Sequence, residues 1–204
     1  MSLAVIYIHG FNSSPQSVKA QQLAAYFASN KLEEQKDYQL HIPALNYQPK
    51  VAMQQLTDLI EAQLSKDENS DILLIGSSLG GYYSLWLVQQ YAQCIAALVN
   101  PAVYPYLLLA QLLGENQNIY TENKYMLTRE HMDELQAIEV TQLRDASRIL
   151  LLAQTGDETL DYREAVDKLQ GVEQHIEQGG NHSYENFDAL IPKIFTFAQS
   201  KSIV

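Results

Sequence analysis

Four short apolar runs constrain the fold of this chain more than any other feature: Ala4-Val5-Ile6-Tyr7-Ile8, Ile72-Leu73-Leu74-Ile75, Ile95-Ala96-Ala97-Leu98-Val99 and Ile149-Leu150-Leu151-Leu152-Ala153. A strand with one wet face alternates apolar and polar residues; these runs do not. They read as strands buried on both faces, the kind found in parallel sheets sandwiched between helices. The whole order reads strand 3–9, helix 16–30, strand 38–43, helix 50–65, strand 71–76, helix 79–91, strand 94–99, an insertion, strand 148–154, helix 162–170, strand 172–178 and helix 184–200. Strands that alternate with helices in this way predict a mainly parallel sheet of about six strands, joined by right-handed crossovers and covered on both sides.

The run at 72–75 leads into Gly76-Ser77-Ser78-Leu79-Gly80, a G-x-S-x-G motif between a strand and a helix. In that context the central serine sits on a sharp, strained turn, and the small residues two positions away let strand and helix pass without a clash. The motif phase puts Ser78 at the apex and leaves Ser77 to pack beneath it. Two more segments end strands: Gln154-Thr155-Gly156-Asp157-Glu158, and Gly179-Gly180-Asn181-His182. Catalytic groups of open α/β sheets collect at the carboxyl ends of strands, and the chain order Ser, acid, His is that of the α/β-hydrolases. Ser78 is therefore the candidate nucleophile, His182 the base and Asp157 the acid. Asp161 has the spacing of a helix N-cap with Glu164 at the third position, which gives it a structural occupation; Glu158 is a third carboxylate in the same loop. His9, His41, His131 and His175 stand in a loop, in strands or in a helix, ordinary places for a structural imidazole.

The first run leads into His9-Gly10-Phe11-Asn12-Ser13-Ser14-Pro15, which resembles the HG-type oxyanion loop of serine esterases. Together with Gly-Ser-Ser-Leu-Gly-Gly, Gln-Thr-Gly-Asp-Glu-x-Leu-Asp-Tyr and Gly-Gly-Asn-His-Ser, it makes the chain similar to the YqiA/YcfP-like bacterial esterases over about 5–197. The resemblance implies a single-domain α/β-hydrolase with a minimal sheet that cleaves a small-molecule acyl ester or thioester through an acyl-enzyme. Leu79, the residue after the nucleophile, would supply one oxyanion N–H; the likeness to HG-type loops assigns the other to Phe11, with Asn12 as the alternative. The competing reading is a non-catalytic α/β-hydrolase-fold protein that binds a ligand or a protein, for which a strained elbow has no physical use.

A chain of 204 residues that is 47% hydrophobic can bury one sizeable core, so one domain spanning 1–204 is expected. Residues 104–143 form the longest insertion. It holds Tyr104-Pro105-Tyr106, a leucine-rich stretch at 107–113, a polar stretch at 114–124 and a helix at 128–138. It reads either as a cap whose leucines and tyrosines line an acyl pocket or as helices packed on the sheet edge. Thirteen Lys and Arg against 24 Asp and Glu give a net charge of −11, which argues against nucleic acid as a partner. No basic and apolar leader precedes the first strand and no apolar run approaches roughly 18 residues, so a cytoplasmic protein with no membrane span is expected. Cys94, at the head of an apolar run, reads as a small buried hydrophobe. With no H-E-x-x-H, C-x-x-C, G-x-x-x-x-G-K-[ST] or G-x-G-x-x-G, no metal and no cofactor are expected.

Overall fold

In the computed structural model, which describes residues 3–30, 38–68 and 70–201, the chain runs β1 (Leu3–Ile8), α1 (Val18–Ser29), β2 (Tyr38–His41), α2 (Pro49–Leu64), β3 (Asp71–Ser77), α3 (Leu79–Gln90) and β4 (Cys94–Val99). The insertion then contributes α4 (Pro105–Leu109), β5 (Gly114–Gln117), β6 (Lys124–Leu127) and α5 (Arg129–Ala137). The order closes with β7 (Ile149–Gln154), α6 (Tyr162–Lys168), β8 (Glu173–Glu177) and α7 (Phe187–Lys201). Six strands form one sheet in the order β2-β1-β3-β4-β7-β8, and every neighbouring pair is parallel. This is the six-stranded α/β sheet expected from the apolar runs.

Successive side chains of a strand point to opposite faces, and both faces here are apolar. Val5, Tyr7, Leu73 and Ile75 meet Leu23 and Phe27 of α1 and Ile191 and Ile194 of α7. Tyr26 stacks on Phe195 at 5.5 Å between the two helices. Ala4, Ile6, Ile8, Ile72 and Leu74 face the other way, onto Leu56 and Ile60 of α2 and Leu85 and Val88 of α3. Each large apolar side chain buried in this way contributes about 1.5–3 kcal/mol relative to exposure. Cys94 is wholly buried on this second face, where burial pushes its thiol up to about 12 and keeps it protonated and inert. Among the described residues, no helix is long and apolar enough to cross a membrane.

The insertion differs from its sequence reading. The leucine stretch is helical only through Leu109 and continues as a 3-10 turn over Ala110–Leu112. The polar stretch folds as an antiparallel hairpin, with Gly114 paired to Leu127 and Gln117 to Lys124. Its turn is organised by Asn118, whose Oδ1 accepts from the backbone N–H groups of Tyr120 and Thr121, both at 2.9 Å. The helix expected at 128–138 is α5. It is tied to the body where Tyr82 donates to the Leu135 carbonyl at 2.8 Å and where Glu134 accepts from the N–H of Lys50 at 3.1 Å. Glu139 pairs with Lys168 and accepts from the Tyr106 hydroxyl at 2.8 Å. In the leucine stretch Leu107, Leu112 and Leu113 are exposed, Leu107 with Leu108 at the wall of a cavity, and Ile119 and Met126 of the hairpin segment are exposed too.

Candidate active site

The turn after β3 is built by excluding side chains. A Cβ on Gly76 would lie 2.3 Å from the Gly80 carbonyl oxygen, and one on Gly80 would lie 1.9 Å from that of Ile8. Both are far inside van der Waals contact, so only glycine lets β3, α3 and β1 cross there. Ser78 is left at φ 55°, ψ −118°, a conformation that costs an L-residue on the order of 1–3 kcal/mol. The surroundings hold it there: its N–H donates to Val99 O at 3.1 Å, and its carbonyl accepts from Gly81 at 2.9 Å and Ala102 at 3.1 Å. Ser77, the last residue of β3, is buried.

Asp157 and His182 are brought into direct contact. His182 Nδ1 lies 2.8 Å from Asp157 Oδ2, and the Asp157 side chain is only 2% exposed. Asp157 Oδ1 accepts from the N–H groups of Thr159 and Leu160, each at 2.8 Å, which fixes the carboxylate and turns its other oxygen to the imidazole. The remaining acidic residues are occupied elsewhere. Glu158 accepts from the backbone N–H of His182 at 3.0 Å. Asp161 caps α6 by accepting from Arg163 N at 3.0 Å and pairs with the Arg163 guanidinium. Among the described residues, no hydrogen bond joins the Ser78 hydroxyl to His182; catalytic hydrogen bonds commonly tighten only around substrate.

The Gly10 backbone passes beside the serine, since a Cβ there would sit 3.1 Å from Ser78 Cβ and 3.6 Å from Oγ. Phe11 and Leu79 line one cavity of about 370 Å³, and among the described residues neither N–H donates to a backbone carbonyl. Leu79 opens α3, so its amide also carries the positive end of the helix dipole. Asn12, the alternative donor, has φ 52°. The hairpin grips this loop: Tyr125 donates to Asn12 Oδ1 at 2.5 Å, Asn118 Nδ2 to Ser13 O at 2.8 Å and Ile119 N to Asn12 O at 3.3 Å.

His9 braces the same loop from below. Its Nδ1 donates to Gly10 O at 3.0 Å, and its Nε2 accepts from Leu45 N at 3.1 Å, an arrangement open only to the neutral ring. Burial lowers its pKa from the usual histidine value. The contribution to stability is therefore complete above about pH 6.5, the unfolded value, and is lost as pH falls through the lower folded value, where the unfolded chain binds more protons. We expect acid to unfold the wild type at higher pH than a His9→Gln variant, whose amide oxygen can accept from Leu45 without titrating. Coincident acid transitions, followed by circular dichroism, would contradict this role.

Two buried amides that the sequence reading passed over hold the His182 loop. Asn100, at φ 39°, donates through Nδ2 to the carbonyls of Asn181 at 2.9 Å and His182 at 3.3 Å, and accepts from Gln154 N at 2.9 Å. Gln154 Oε1 in turn accepts from Asn181 N at 3.2 Å and Glu185 N at 2.8 Å. Lys19 adds a bond from Nζ to Ser183 O at 2.8 Å; burial lowers its pKa to about 8, with the Asp157 carboxylate opposing that shift. Because Ser78 is bonded to Val99 and the His182 loop to Asn100, both hang from the carboxyl end of β4. The signal lay in the sequence as a polar residue directly after each of two apolar runs. Asn100→Gly should cost about 3 kcal/mol, since it strands buried partners, and Asn100→Ala about 1 kcal/mol more for its positive φ. Turnover should fall on the order of 10²-fold in both, as expected for a misplaced catalytic group; equal denaturation midpoints for Asn100→Gly and wild type would refute this.

The fold is shared with known hydrolases. Est1E from Butyrivibrio proteoclasticus, solved with ferulic acid bound, superposes with a TM-score of 0.68 at 15% identity, over 98% of this chain and 89% of that one. The alpha/beta hydrolase domain-containing protein 10 from mouse gives 0.69 at 14% identity, over 97% and 88%. The esterase domain of a Rhodothermus marinus protein gives 0.65 at 19% identity, over 98% and 86%. These likenesses establish an α/β-hydrolase fold. At the level of sequence, the model of an uncharacterised protein family, UPF0227, matches residues 4–199, and the chain belongs to that family, the YqiA/YcfP family.

Proposed function

We propose that the chain is a serine hydrolase of carboxylic esters or thioesters, a single domain over 1–204 in which 104–143 caps the site, needing no metal or cofactor. The observation that carries this is the 2.8 Å contact between Asp157 and His182 at the strand ends, together with a serine held at φ 55° and the N–H groups of Phe11 and Leu79, which meet no backbone carbonyl among the described residues. Esterases among the structural relatives support the same reading.

In the first half-reaction, His182 Nε2 takes the proton from Ser78 Oγ, and Oγ bonds to the acyl carbon. The N–H groups of Leu79 and Phe11 receive the oxyanion, each worth on the order of 10²- to 10³-fold in rate. The carbon–oxygen or carbon–sulfur bond to the leaving group then breaks, and His182 returns the proton to the alcohol or thiol. Water repeats the sequence: its hydroxyl bonds to the acyl carbon, the bond from that carbon to Ser78 Oγ breaks to release the carboxylic acid, and the proton taken up by His182 passes to Oγ. Asp157 fixes the tautomer with hydrogen on Nδ1 and stabilises the imidazolium without taking its proton. Fluorophosphonate treatment followed by mass mapping of the labelled peptide tests the assignment. Modification of Ser78 is expected; modification of Ser77, or none in folded protein, rejects it, and the latter favours the non-catalytic binding reading.

A further inference from the structure

The cavity beside the oxyanion loop is uncharged. None of its lining residues is Asp, Glu, Lys or Arg, although these make up 18% of the chain, and His9 in its wall is held neutral by its two hydrogen bonds. The amide oxygens of Asn46, Gln55 and Asn118 around it are already used. Asn46 Oδ1 accepts from Gln48 N at 2.9 Å, Gln55 Oε1 from Asn46 N at 2.8 Å, and Asn118 Oδ1 from the hairpin turn. A backbone N–H can be met only by oxygen, so these bonds fix which way each amide faces. Among the described residues, the amino group of the exposed Asn46 keeps no acceptor, and the hydroxyl of Tyr83, a residue only 3% exposed that lines the cavity, makes no hydrogen bond. Above them, Tyr47 and Tyr125 stack at 4.3 Å and offer flat apolar ring surface.

A second cavity, of about 230 Å³, is charged by contrast: Asp161 and Glu164 line it together with Val103, Leu108 and Leu160. The uncharged chamber reaches the serine turn through Gly10 and Leu79.

We propose that this uncharged chamber receives the alcohol half of the ester as a neutral, hydroxyl-rich group of the glycerol or sugar type. This rests on the serine-esterase reading of Ser78. Hydroxyl oxygens accept from the Asn46 amino group and the Tyr83 hydroxyl, and the C–H faces of a polyol suit stacked tyrosine rings. A plain alkyl group would cover the Tyr83 hydroxyl without pairing it, which is the penalty by which polar pockets reject apolar analogues. An anionic group would meet no Lys or Arg in that lining, in a protein of net charge −11.

The test compares kcat/KM for butyrate esters of glycerol, propanol and lactate, with p-nitrophenyl butyrate as the activated reference. The glycerol ester should exceed the propyl ester by about tenfold, and the lactate ester by more. Tyr83→Phe and Asn46→Asp, which keeps the acceptor for Gln48 N, should each bring the glycerol-to-propyl ratio several-fold nearer to one. A propyl or lactate ester cleaved as well as the glycerol ester overturns the proposal, and so does a ratio that neither variant moves. If p-nitrophenyl butyrate is cleaved and none of the three esters is, the substrate class is wrong while the esterase stands. If it is not cleaved and Ser78 takes no label, the esterase reading itself falls.

Discussion

Ser78→Ala should lower turnover on the order of 10⁶-fold and abolish fluorophosphonate labelling, because members of a catalytic triad act as a unit and loss of the nucleophile leaves only binding and oxyanion stabilisation. The fold should be unaffected, since alanine meets the same backbone penalty as serine at φ 55°, ψ −118°. Ser78→Gly separates the two roles of the position. It removes the hydroxyl and also the strain, so an equally inactive protein should be more stable than wild type by about 1 kcal/mol or more. Denaturant unfolding of the three proteins measures this directly. A glycine variant less stable than the alanine variant would show that the elbow is relaxed and the strain argument wrong.

The second large effect is expected at Asp157. In Asp157→Asn the side-chain oxygen can still accept from Thr159 and Leu160, which leaves the amino group facing His182 Nδ1. Two donors cannot face each other, so the ring must move its hydrogen to Nε2, and it can no longer accept the serine proton. Turnover should drop by about 10⁴. Asp161→Asn removes the same charge from the same loop yet keeps the bond from Arg163 N, since asparagine is itself a good N-cap. Its activity should survive. An inactive Asp161→Asn beside an active Asp157→Asn would reverse the acid assignment and leave the hydrolase reading intact. Activity in both would point to Glu158 or against a triad altogether.

What the sequence revealed follows from the range of the forces involved. A strand buried on both faces writes its environment into every residue, so β3, β4 and β7 were legible as continuous apolar runs. The elbow was legible because a steric crossing demands glycine at Gly76 and Gly80 themselves. Asp161 could be read as a helix N-cap because capping is local, settled within three residues. The hairpin was not legible: β5 and β6 are short, mostly polar and paired only with each other, so no buried face imposes a pattern. Nor could Asn100 be recognised as a clamp, since its partners lie 54, 81 and 82 residues away. A single polar letter says nothing about contacts at that distance.

The bonds from Tyr125, Asn118 and Ile119 to Asn12 and Ser13 have a practical side for anyone who would redesign this protein. A segment that only roofed a cavity could be exchanged for another to alter what the cavity accepts. Here the same turn also braces the loop beside the serine, so a transplanted hairpin brings with it a new setting of that loop. Libraries confined to 114–127 should therefore yield variants whose selectivity and turnover change together, and recovering one without the other will require compensating changes at Asn12 and Ser13.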